Sequence, residues 1–144
     1  MSARSVADRV LLLRDVAIFA DVGQRDLELL AAMAQTEVFR AGEALWEAGD
    51  AADRVHVVVS GALSVRLPGR DLPTRTLGPG EIVGELAMFA QSRRSAAVTA
   101  EEETTVLSFR YEAFREFLLG HPEAMFALLG WIVGRLLERE AAKP

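Results

Sequence analysis

Gly84-Glu85-Leu86-Ala87-Met88-Phe89-Ala90-Gln91-Ser92-Arg93-Arg94-Ser95-Ala96 is the segment that breaks an otherwise regular run of short strands in the middle of this chain. Glu85 to Ala90 are good helix formers set directly behind an apolar pair, Ile82-Val83, and a glycine. A single helical turn there leaves backbone N–H groups unpartnered at its start. Those groups and the local dipole attract an anion, phosphate above all. Gly84 has no Cβ, so a ligand can come close to the backbone. Glu85 and Arg94, nine residues apart, bracket the turn with opposite charges. The carboxylate can accept from a sugar hydroxyl, and the guanidinium can give a paired, charge-assisted contact to a phosphate. Ser95 adds a hydroxyl donor. A ribose and a phosphate locked in one ring would satisfy both ends, each charged hydrogen bond contributing about 1.5–3 kcal/mol. Of the neighbours Arg93 and Arg94, an extended segment sends only one inward.

The sequence on either side predicts strands. Glu37 to Arg40, Ala44 to Glu47, Arg54 to Val59, Leu63 to Leu67, Thr74 to Leu77, Ile82-Val83, Ala96 to Ala100 and Thr105 to Phe109 are short and rich in β-formers. Turns such as Pro68-Gly69-Arg70-Asp71 and Gly78-Pro79-Gly80 punctuate them and make Leu63 to Thr76 a hairpin. Many short strands without strand–helix–strand alternation predict a sandwich or barrel rather than a doubly wound nucleotide fold. Helical spacing marks Ser5 to Leu13 and Gln24 to Ala34 before the strands. After them come Tyr111 to Leu119 and a last helix from Pro122 to about Glu140. The expected fold is therefore mainly β with flanking helices: a β-roll of the double-stranded β-helix or jelly-roll kind, N-terminal helices and two C-terminal helices. It forms one domain over 1–144, with a lead-in at 1–15, the roll with its helical approach at 16–110 and the closing helices at 111–140.

Composition narrows the function. The chain has 144 residues and no cysteine, which removes disulfides and thiolate metal sites. His56 and His121 lie too far apart in sequence to suggest a metal, and each is expected to be a partly exposed structural residue. The net charge of −5 opposes sequence-independent binding to nucleic acid. The apolar start, Val10 to Leu13, is short and flanked by charge, and Ala124 to Gly134 is too short to span a bilayer, so no membrane partner is expected and the cytoplasm is the expected location. An enzyme is not expected: there is no nucleophile beside a base and no carboxylate pair at a useful spacing.

Gly84-Glu85-Leu86-Ala87 followed by Arg94-Ser95-Ala96-Ala97-Val98 resembles the phosphate-binding cassette of the cyclic-nucleotide-binding domain family, which includes catabolite-activator-type regulators, protein kinase A regulatory subunits and gated channels. The resemblance extends from about Val16 to Glu140. Gly42, Gly49-Asp50, Gly61, Gly78-Pro79-Gly80, Ala17-Ile18-Phe19, Phe114 and Pro122 agree with it. It implies that Glu85 holds the ribose 2′-hydroxyl and that Arg94, not Arg93, pairs with the phosphate. It also implies that Gly84, Leu86 and Ala87 supply backbone contacts, that Ser95 touches phosphate or purine, and that Val83 and Ala96 line the pocket. The implied ligand is cAMP, with cGMP as the alternative, and no cofactor.

In that family the last helix folds over the base and often mediates dimerisation. Trp131, Arg135, Arg139 and Glu140 are the candidates to meet a purine, although a core or dimer-interface role for Trp131 competes. Phe126, Leu129, Val133, Leu136 and Leu137 form an apolar stripe, either a homodimer seam or a face packed on the β-roll. Too few residues follow Glu140 for a helix-turn-helix, so the expected output lies in an effector partner or a larger parent protein. A ligand-free dimerisation or interaction module on the same fold is the alternative function.

Overall fold

Alternation along two strands decides the architecture. Arg54–Ser60 (β3) and Thr104–Arg110 (β8) are buried on both faces because both faces are covered, with His56, Thr104 and Ser108 as buried polar members. Val55, Val57, Leu107 and Phe109 point into a core shared with the helices. Val58 and Val106 point into a second core, between the sheets. The computed structural model describes residues 5–141, the Arg139 side chain excepted. Residues 1–4 and 142–144 of the expected domain, and the expected base contact of Arg139, lie outside the described residues.

Two four-stranded antiparallel sheets result. The first has the order β1-β8-β3-β6, with β1 at Gln35–Phe39 and β6 at Ile82–Val83. The second has the order β2-β7-β4-β5, with β2 at Ala44–Trp46, β4 at Leu63–Arg66, β5 at Arg75–Leu77 and β7 at Ala97–Ala100. β4 and β5 pair as the expected hairpin, Leu63 opposite Leu77. Helices α1 (Val6–Arg14) and α2 (Gln24–Met33) precede the sheets, and Ser5 caps α1 by accepting from the Asp8 N–H at 3.0 Å. A 3₁₀ turn at Ala17–Phe19 joins them. A short helix, α3 (Glu85–Ala90), interrupts the strands, and α4 (Tyr111–Gly120) and α5 (Pro122–Ala141) follow β8. This is the expected mainly-β roll with flanking helices.

Two expectations are corrected. His56 is buried rather than partly exposed. It lies against Trp46, ring centroids 5.1 Å apart, with Nε2 3.6 Å from a Glu37 carboxylate oxygen. The second correction concerns α5, whose apolar stripe does not pack on the β-roll. Phe126 is 78% exposed, and Leu129, Val133, Leu136 and Leu137 are exposed with it. Ala124 and Leu128 are the buried positions, with Met125, Trp131 and Ile132 packed beside them.

Gly61 shows how tightly the roll closes. Its φ of +94° is left-handed, and a Cβ there would lie 2.4 Å from Thr104 Oγ1 and 2.5 Å from the Glu103 carbonyl oxygen. Thr104 is fully buried, its hydroxyl 2.8 Å from the Glu102 carbonyl oxygen and 3.1 Å from that of Ala62, and it accepts from the Ala62 N–H. Gly61→Ala is therefore expected to lower stability by more than about 2 kcal/mol in urea unfolding.

Candidate functional site

The site is built where β6 gives way to α3. Gly84 makes this turn with φ +92°, a conformation that costs a glycine little. The absence of a side chain has a second use: a Cβ at Gly84 would lie 2.7 Å from Arg94 Nη1, 3.1 Å from the Arg54 carbonyl oxygen and 3.3 Å from the Trp46 ring. Glycine thus lets the guanidinium of Arg94 settle against the backbone.

Arg94 is only 7% exposed. Its Nη1 donates to the Tyr111 hydroxyl at 3.1 Å and to the Gly84 carbonyl at 3.4 Å, and its Nη2 donates to the Arg54 carbonyl at 3.0 Å. The guanidinium lies 3.6 Å above the Trp46 ring. Its buried Nε–H has no protein partner. Burial pulls the pKa of Arg94 down, opposed by Tyr111, Asp53, Asp50 and Glu85. Arg93, by contrast, is exposed and donates to the Gly49 carbonyl at 3.2 Å.

Glu85 opens α3 and is 6% exposed. Burial pushes its pKa up to about 7, against the lowering effects of its own backbone N–H, Arg75 and Arg94. Among the described residues no salt bridge joins it to Arg94, so the carboxyl and the guanidinium share one site without touching.

All ten expected site residues line one cavity of about 320 Å³. Val83, Gly84, Glu85, Leu86 and Ala87 come from β6 and α3, Arg94, Ser95 and Ala96 from the approach to β7, and Trp131 and Arg135 from α5. Val83, Ala87 and Ala96 are buried, whereas Leu86 and Ser95 are exposed at the rim. Trp131 is partly buried, with the Arg135 guanidinium 3.8 Å above its ring. Arg135 in turn donates to Glu81 at 2.6 Å. The volume is that of a small-molecule site.

Four residues of the site were not singled out by the sequence. Trp46 forms the surface beneath Arg94 and donates its indole N–H to the Ala96 carbonyl at 3.0 Å. Tyr111 holds Arg94 from α4. Arg75 lines the cavity, with a buried Nε that has no partner and a guanidinium nitrogen 3.7 Å from Glu138 of α5. Glu81 anchors Arg135. The alternation on β5 marks Arg75 as one face of a half-buried strand; nothing local marks the other three.

Among the described residues no group of histidine, aspartate and glutamate side chains is placed to hold a metal ion, and no single helix is long and apolar enough to cross a membrane. Residues 36–121 match the family model of the cyclic nucleotide-binding domain. The chain belongs to this family. A cyclic nucleotide-binding domain is typically regulatory and non-catalytic. This one is 30% identical over 112 residues to a cGMP-dependent protein kinase of Toxoplasma gondii, covering 78% of this chain and 11% of the kinase. It is 27% identical over 128 residues to the CRP-like cAMP-activated global transcriptional regulator of Mycobacterium tuberculosis, covering 87% of this chain and 57% of the regulator. Its fold superimposes on the regulatory domain of Toxoplasma gondii PKA in co-crystals with cAMP, with TM-score 0.77, 20% identity, and coverage of 90% of this chain and 50% of the other. The chain spans less than two thirds of the length of each.

The pKa of Glu85 has a consequence for stability. A carboxyl raised from 4.5 to about 7 keeps its proton in the folded state where the unfolded chain has released it. Its contribution is fully present below pH 4.5 and is lost as pH rises through about 7. Glu85→Gln removes that dependence. The variant is expected to match the parent near pH 4 and exceed it by about 3 kcal/mol at pH 8, as read by denaturant titrations across the range.

Proposed function

We propose that this chain senses a cyclic purine nucleotide, cAMP or cGMP, and that occupancy repositions α5. The observation that carries the reading is the pair Glu85 and Arg94, a buried carboxyl and a buried guanidinium on one cavity with no salt bridge between them. A ribose hydroxyl donates to the carboxyl of Glu85. A cyclic phosphate accepts from Arg94, whose Nε–H has no protein partner, and this contact exchanges a burial penalty for a charge-assisted bond. Val83, Ala87 and Ala96 enclose the sugar and phosphate with the backbone at Gly84 and Leu86, and Ser95 meets the ligand at the rim. Trp131 and Arg135 of α5 cover the base. The two relatives named for cAMP activation and cGMP dependence support both ligands, and neither residue set selects between them.

The proposed setting is cytoplasmic, with 1–144 acting as one non-catalytic domain that needs no cofactor, contacts neither nucleic acid nor membrane, and passes its signal to a partner or a larger parent protein. The switch draws its energy from the ligand's preference for one arrangement of α5 over another.

Calorimetric titration with cAMP and cGMP tests the reading. Binding of at least one nucleotide below millimolar is expected, and Arg94→Ala should weaken it by about 2–5 kcal/mol. Failure of both nucleotides to bind overturns the proposal.

The exposed stripe on α5 favours a second element of the same reading, a homodimer. Phe126, Leu129, Val133 and Leu136 follow one another three or four residues apart, and Leu137 lies four beyond Val133, the spacing of a seam between two helices. A second copy of α5 is the self-complementary occupant of such a face. The parent is expected to sediment as a dimer and a Leu129→Asp, Leu136→Asp variant as a folded monomer. A monomeric parent at high concentration removes the seam and leaves the nucleotide reading intact.

A further inference from the structure

We infer that Tyr111 is a positioning residue that carries phosphate capture at Arg94 into α4. The inference rests on the nucleotide reading above. Tyr111 is the first residue of α4 and the only tyrosine in the chain. Its hydroxyl is fully engaged between two parts of the cassette: it donates to the Gly84 carbonyl at 2.7 Å and accepts from Arg94 Nη1 at 3.1 Å. Its backbone N–H donates to the Asp53 carbonyl at 2.9 Å, directly before β3. The start of α4 is thus tied to the same guanidinium that grips the start of β3 through the Arg54 carbonyl.

The bonds around Arg94 are unequal. Its contact with Gly84 is the longest at 3.4 Å, while Tyr111 binds the same carbonyl at 2.7 Å. An anion drawing on the unpartnered Nε–H shifts the guanidinium, and the phenol must follow it or lose a charge-assisted bond. Movement at Tyr111 is movement of the first turn of α4. This helix leads through His121 into α5, whose Trp131 and Arg135 line the cavity. No α4 residue lines the cavity, so a response in α4 to ligand travels through the protein rather than by direct contact. A phenylalanine at 111 would supply the ring and lack the oxygen, which isolates the role of the hydroxyl.

Hydrogen exchange on the full chain, with and without saturating cAMP or cGMP, separates this role from a merely structural one. In the parent, ligand is expected to slow exchange both in the cassette, residues 84–96, and in α4, residues 112–120. In Tyr111→Phe, affinity should fall by no more than about tenfold, the scale of one hydrogen bond. Cassette protection should persist while α4 protection is lost. A variant in which both segments respond as in the parent, or weaken in proportion to affinity, overturns the relay and leaves the nucleotide reading standing. A parent that binds neither nucleotide overturns both. A measurement free of any folding defect uses 3-fluorotyrosine, which gives a single fluorine resonance in this chain; it is expected to shift on binding, and an unmoved resonance in nucleotide-saturated protein overturns the relay.

Discussion

A guanidinium withdrawn from water is the interaction around which this site is organised. Burying an ionised group costs several kcal/mol unless other groups replace its hydration. Arg94 recovers part of that cost from two backbone carbonyls, a phenol and the face of Trp46. These groups come from β3, the β6–α3 turn, α4 and β2, so the charge fixes four elements relative to one another. Each of these partners is neutral. Asp53, Asp50 and Glu85 act on the charge only from a distance, and one N–H remains unused. The same feature that orders the local structure sets its appetite for an anion.

Glu85 complements it. The carboxyl is buried at the start of α3, and its proton is held near neutrality by desolvation rather than by a partner. Farther along the cavity, charge is handled differently. Arg135 pairs with Glu81 and Arg75 with Glu138, so α5 is tied to the β5–β6 region by ion pairs that are partly open to solvent. Such pairs contribute little to stability and respond to salt. The floor of the site is fixed by burial and the cover by contacts that are easily exchanged.

Much of this was legible in the sequence. The β-branched run of β3, the glycines at the turns and the helix-forming insert after Gly84 are local signals, and each coincided with an element. The choice of Arg94 over Arg93 followed from alternation and resemblance, and the structure buries the first and exposes the second. Trp46 and Tyr111 were not legible because their roles come from pairing across the sheets, which places residues 46, 94 and 111 side by side. The buried face of α5 was not legible for another reason. Apolar residues occur on nearly every side of that helix, at 124, 125, 128, 131 and 132 as well as in the stripe, so periodicity alone does not choose which side faces the core. His56 was misjudged because burial of an imidazole between sheets depends on what packs opposite it.

The α5 helix is covered on one side by Ala124 and Leu128 in the core and bare along Phe126, Leu129 and Leu137 on the other. A helix attached so lightly is softer than the sheets it rests on, and local opening is drawn from the least buried elements. The cavity accordingly has a stiff base and a compliant roof. On the proposed nucleotide reading, entry and escape of the ligand are governed by the roof, while discrimination of sugar and phosphate belongs to the base. Residence time and selectivity can thus be tuned separately, by substitutions in α5 for the one and in the cassette for the other.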